Sequence, residues 1–101
     1  MNESKLSREA ILRELRNHQA QFERLYGVTK IGVFGSAARD ELRQDSDIDV
    51  VVEMREPDLF YLVHIKEELE KNFHRRVDII RYRIAMNRYL KTRIDKEARY
   101  A

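Results

Sequence analysis

The chain has 101 residues, a formal net charge of +2 and no cysteine. That length bounds it to one domain, 1–101, with one modest core, and the missing thiols exclude disulfide scaffolds and cysteine-based zinc or redox chemistry. No apolar stretch nears the roughly 20 residues of a membrane span, and Met1-Asn2-Glu3-Ser4-Lys5 lacks the apolar centre of a signal peptide, so a soluble cytoplasmic protein is expected. The charge is uneven: residues 75–101 carry nine Lys/Arg against three Asp/Glu. Such a segment is either a solvated arginine-rich helix or a surface for an acidic partner.

In chain order, Ile11, Leu15, His18, Phe22 and Leu25 fall on one helical stripe within residues 4–26, closed by Gly27. Thr29 to Phe34 reads as a buried strand. Gly35-Ser36 turns into a short helix from Ala37 to Arg43. Asp47 to Met54 is a second strand. Pro57 breaks the chain, and Asp58 caps a helix running to Phe73, with Leu62, Ile65, Leu69 and Phe73 on its apolar stripe and Glu67–Lys71 as an i,i+4 pair. Val77 to Tyr82 is a third strand. Ile84 to Ala98 is a last helix, carrying Met86, Leu90 and Ile94. The order α-β-α-β-α-β-α favours an α/β or α+β sheet flanked by helices.

The chemistry concentrates in Gly35-Ser36, ten intervening residues, then Asp47-Ile48-Asp49. Alternation along a strand puts Asp47 and Asp49 on one face, roughly 6–7 Å apart, with Ile48, Val50 and Val52 on the other. Two carboxylates on one rigid face suit a hard divalent cation. Gly35-Ser36 at a helix start offers backbone N–H groups to a phosphate. Ser36 is equally a plain N-cap, and Arg39 either meets a phosphate or pairs with Asp40 or Glu41. Asp78, between Val77 and Ile79, either joins the two carboxylates or is a solvent-facing charge. Three carboxylates together repel, and a cation relieves that conflict.

Other constellations fail. Neither a P-loop nor a Gly-x-Gly-x-x-Gly stretch occurs. His18, His64 and His74 are too scattered for a metal or catalytic pair, and His74-Arg75-Arg76 reads most simply as a basic turn. The tyrosines form no stacking platform for bases, and direct nucleic-acid binding through the basic C-terminal third, which a strong fall of affinity with salt would identify, is the least favoured reading.

Gly-Ser-x(10)-Asp-x-Asp plus a later strand aspartate resembles the DNA polymerase beta-like nucleotidyltransferase superfamily, and the chain resembles its smallest branch, the minimal nucleotidyltransferases (MNT). The resemblance runs from about Thr29 to the C-terminus, through Val33 to Arg39, Ser46 to Val52, Arg76 to Ile80, and Leu90-Lys91 to Glu97-Ala98. Two positions depart: the branch usually has glycine where Asp40 stands, and often near Phe73-His74. The resemblance implies a small mixed sheet flanked by helices, two Mg²⁺ ions at Asp47, Asp49 and Asp78, and ATP held at Gly35, Ser36, Arg39 and Ser46. It implies Asp78 on the acceptor side, as a candidate general base. It also implies a partner: a HEPN-domain ribonuclease-type toxin, adenylylated on a tyrosine by an MNT antitoxin.

Three readings follow. The first is AMP transfer from ATP to a hydroxyl of a partner protein, because a chain of this size has little room for a small-acceptor pocket. The second is antitoxin action by stoichiometric masking. The third is transfer to a small molecule, which calls for a further domain or a dimer to build the acceptor site.

Overall fold

The computed structural model describes residues 6–101. The reading of Met1–Lys5 and the first residues of the expected 4–26 helix lie outside the described residues. The elements are helix α1 (Arg8–Tyr26), strands β1 (Val28–Phe34) and β2 (Ile48–Met54), helix α2 (Leu59–Phe73), strand β3 (Val77–Arg81), helix α3 (Arg88–Glu97) and strand β4 (Arg99–Tyr100). The sheet order is β3-β2-β1-β4. β1 is antiparallel to β2 and to β4, whereas β2 and β3 run parallel through the α2 crossover.

Each helix starts where a short polar side chain takes up free backbone N–H groups. Ser7 accepts from Ala10, Asp58 from Phe60 and Tyr61, and Asn87 from Leu90. α1 closes on Gly27 in the left-handed region. Its Ile11, Leu15 and Phe22 are fully buried and His18 nearly so, whereas Leu25, placed on the same stripe, is exposed. On α2 the pair that forms is Lys66–Glu70 at 2.6 Å, one position before the expected Glu67–Lys71.

The sheet is covered on both faces. α1 and α2 bury Ile11, Leu15, Phe22, Ile65 and Leu69 against Ile31, Val33, Ile48, Val50, Val52 and Val77. α3 places Ile94 against Phe34 and Val51 on the other face. At about 25 cal/mol per Å² of apolar surface removed from water, both layers contribute strongly to stability.

Two expectations are corrected. No helix forms over Ala37–Arg43: residues 35–40 are a run of turns. Asp40 takes a left-handed φ of 61°, which no continuing helix tolerates, and Glu41 N–H reaches back to Ser36 O at 2.8 Å. The last helix begins at Arg88 rather than Ile84, because Asn87 supplies the cap and Arg83 to Met86 form a turn. Beyond it, Arg99 and Tyr100, for which the sequence predicts no element, form β4 and pair with Val33 and Gly32. A Cβ at Gly32 would stand 2.8 Å from Tyr100 Cα, so this position accepts only hydrogen where β4 crosses.

Candidate functional site

β2 and β3 bring two of the aspartates together. Their parallel register pairs Asp49 with Asp78 and Ile48 with Val77. Paired residues share a face of the sheet, about 4.8 Å apart across neighbouring strands. Ile48, Val50 and Val77 point into the core, which turns Asp49 and Asp78 to the other side. Asp47 directly precedes β2, near enough for its charge to act on Asp49. Asp49 is half-buried and Asp78 exposed.

The electrostatics record this crowding. Burial raises the Asp49 carboxyl above its ordinary value, and the neighbouring Asp78 and Asp47 charges add to the rise. Asp47 is engaged: its Oδ2 accepts from Arg76 Nη2 at 3.3 Å. Among the described residues, no group of three carboxylate or imidazole side chains already converges as a coordination cage. The donor set nonetheless fits a hard cation. It is all oxygen, the charges of Asp47 and Asp78 crowd upon Asp49, and Asp49 and Asp78 sit on adjacent strands.

The turn after β1 stands against the same aspartate. Phe34 pairs with Asp49 across β1 and β2, and Gly35 follows with φ +69°. A Cβ there would lie 2.8 Å from Asp49 Oδ2. Glycine thus serves the backbone conformation and keeps space open beside the carboxylate. The Ser36 hydroxyl caps no helix, since none starts there, while Ser36 O accepts from Glu41. Ser46 Oγ accepts from Arg43 N–H at 3.2 Å, which ties the loop that delivers Asp47. Arg39 is paired with Glu41 at 3.1 Å and Glu97 at 3.7 Å.

Three side chains support this site beyond the residues expected there: Arg75 and Arg76, which the sequence reads as part of a basic turn, and Glu70, to which it gives no role. Arg75 Nη1 donates to Arg43 O at 2.8 Å and Ser46 O at 3.1 Å, clamping the loop before Asp47. Arg76 covers Asp47 itself. Glu70 accepts from Val77 N–H at 3.0 Å and fixes the head of β3 to α2. The signal for Arg76 was the alternation Arg-Val-Asp, which places Arg76 and Asp78 on one face. For Arg75 and Glu70 no sequence pattern points to the contact.

A four-stranded mixed sheet with acidic strand starts beside a glycine turn is the architecture of polymerase beta-like nucleotidyltransferases. Residues 15–101 match the model of the nucleotidyltransferase domain, and the chain belongs to that family. It is 38% identical over 76 residues to the protein adenylyltransferase MntA of Thermococcus cleftensis, covering 74% of this chain and 77% of that one. A solved structure described as a "putative minimal nucleotidyltransferase" superposes with a TM-score of 0.76 at 33% identity, over 96% of this chain and 98% of that one. The MNT antitoxin solved in complex with the tri-AMPylated HEPN toxin of Shewanella oneidensis shares the fold, with a TM-score of 0.67 at 15% identity over 92% and 70% of the two chains.

Proposed function

We propose that residues 1–101 form a single Mg²⁺-dependent protein adenylyltransferase domain, an antitoxin that transfers AMP from ATP to a tyrosine hydroxyl of a HEPN-type toxin and so neutralises it. The observation that carries the chemistry is the in-register pair Asp49–Asp78 beside the Gly35 turn. The protein acceptor rests on the kinship with MntA, and the HEPN partner on the shared fold of the antitoxin in the toxin complex. Among the described residues, no helix is long and apolar enough to cross a membrane, and a cytoplasmic site of action accords with an ATP-using antitoxin.

In the reaction, the acceptor oxygen bonds to the α-phosphorus of ATP. The bond from that phosphorus to the α–β bridging oxygen breaks, pyrophosphate leaves, and the hydroxyl proton passes to a base. Asp47, Asp49 and Asp78 are the residues that would hold Mg²⁺, whose bound charge stabilises the α-phosphate and the leaving pyrophosphate. Asp78, the most exposed of the three carboxylates, is assigned the acceptor proton by analogy with the family. The turn at Gly35 and Ser36, with Ser46 beside Asp47, is assigned to the triphosphate. A phosphate contact from Arg39 requires it to leave Glu41 and Glu97. A docked partner supplies orientation, which is worth roughly 7–11 kcal/mol of barrier in well-positioned reactions.

The test uses ATP labelled at the α- or γ-phosphate, incubated with the chain and its HEPN-type partner. AMP transfer puts the α-label on the partner and releases the γ-label as pyrophosphate. Partner carrying γ-label, or no label, contradicts the proposal.

A further inference from the structure

The acidic ends of β2 and β3 form a two-by-two arrangement. Asp49 faces Asp78 in register. One step earlier, Ile48 N–H donates to Arg76 O at 3.0 Å, which sets Arg76 beside Asp47, with Arg76 Nη2 on Asp47 Oδ2 at 3.3 Å. One corner of the carboxylate cluster is therefore a cation belonging to the chain itself. The Arg76 side chain is 80% exposed, so core packing does not dictate its place.

We propose that Arg76 is a tethered counter-ion of the cluster, occupying Asp47 until a divalent cation arrives together with a nucleoside triphosphate. This rests on the reading of Asp47, Asp49 and Asp78 as the cation's ligands. A bare cation entering beside Asp47 must displace a hydrogen-bonded ion pair and stand near a like charge, so Arg76 opposes it. A triphosphate brings negative oxygens that the displaced guanidinium can face as charge-assisted hydrogen bonds. Arg76 thereby couples entry of the cation to entry of the nucleotide. A guanidinium that merely orients Asp47 as a ligand has the opposite signature: its removal weakens cation binding.

The experiment is Mn²⁺ binding, read from the paramagnetic resonance signal of the free ion, with and without a non-hydrolysable ATP analogue. The proteins are the parent, Arg76→Gln, Arg76→Lys, and Arg83→Gln as a control for losing one positive charge, since Arg83 donates to Arg81 O instead. Arg76→Gln should bind bare Mn²⁺ about three- to fivefold more tightly than the parent, the scale of an exposed ion pair. Arg76→Lys should stay near the parent, and Arg83→Gln should change less than Arg76→Gln. The gain in Mn²⁺ affinity on adding the analogue should be smaller in Arg76→Gln than in the parent. Unchanged or weaker bare-ion binding in Arg76→Gln overturns the counter-ion role while leaving the metal reading intact. A parent that binds no Mn²⁺ even with the analogue overturns both.

Discussion

Gly35 stands so close to Asp49 that a single added carbon would reach the carboxylate: a Cβ built on Gly35 lies 2.8 Å from Asp49 Oδ2. The glycine also holds φ +69°, a conformation that costs an L-residue about 1–2 kcal/mol. Gly35→Ala should therefore lower stability by about that amount and displace Asp49. It should weaken binding of an ATP analogue by tenfold or more, about 1.4 kcal/mol. Ser36→Ala, which removes a hydroxyl and leaves the backbone donors, should change affinity less. Calorimetric titration of both variants checks the order, and equal affinity for Gly35→Ala and the parent places the phosphate elsewhere.

Arg75 should matter through the loop it clamps. Its two hydrogen bonds to Arg43 O and Ser46 O are each worth about 0.5–1.5 kcal/mol. Arg75→Ala should lose about 1–2 kcal/mol in urea unfolding and slow AMP transfer by freeing the approach to Asp47. Arg75→Lys should recover part of the loss, because both bonds come from the single nitrogen Nη1 and an ammonium also carries several donors on one nitrogen.

Glu70 gives a pH dependence with a defined sign. The hydrogen bond from Lys66, and then that from Val77 N–H, hold its carboxyl below the ordinary value. A carboxyl depressed in the folded state contributes stability that is present above its unfolded pKa and lost as pH falls through the folded one. Parent and Glu70→Gln should thus differ most at neutral pH. Their melting temperatures should converge on the acid side, below the ordinary glutamate range. A gap that persists unchanged into acid contradicts the assignment.

Asp40, where the resemblance leads one to expect glycine, and His74, in the region where glycine is also often expected, are among the described residues the two non-glycine residues with positive φ, at 61° and 55°. His74 ends α2 in the left-handed region. His74→Gly should stabilise the protein by about 0.5–1 kcal/mol by removing that strain. Asp40→Gly should gain less, because Asp40 Oδ1 accepts from Arg8 N–H at 2.8 Å and that bond is lost. Thermal unfolding of the two variants separates the effects.

Much of this arrangement was legible in the residues. The alternation Asp47-Ile48-Asp49-Val50 identified β2 and its inward face, and the caps Gly27 and Asp58 located α1 and α2. The sequence misled where tertiary contacts override local preference. Ala37 and Ala38 favour helix, yet Ala37, Ala38 and Leu42 are drawn into the core while Asp40 is fixed by Arg8. β4 was invisible because its two residues have strand geometry only through pairing with Gly32 and Val33. Leu25 shows the limit of stripe counting: it keeps the period yet is exposed, while Leu12 and Tyr26, off the stripe, pack into or against the core. The pairing of Asp78 with Asp49 depends on strand order and register, which no local pattern encodes.

The central claim is transfer of AMP to a protein partner by the aspartate cluster. Intact-mass measurement of the HEPN-type partner tests it most directly, after incubation with ATP, Mg²⁺ and either the parent or Asp47→Ala/Asp49→Ala, both verified as folded by circular dichroism. The account predicts mass added in whole AMP steps by the parent and none by the double variant. A partner of unchanged mass that is neutralised equally well by parent and double variant would contradict it and assign neutralisation to binding alone.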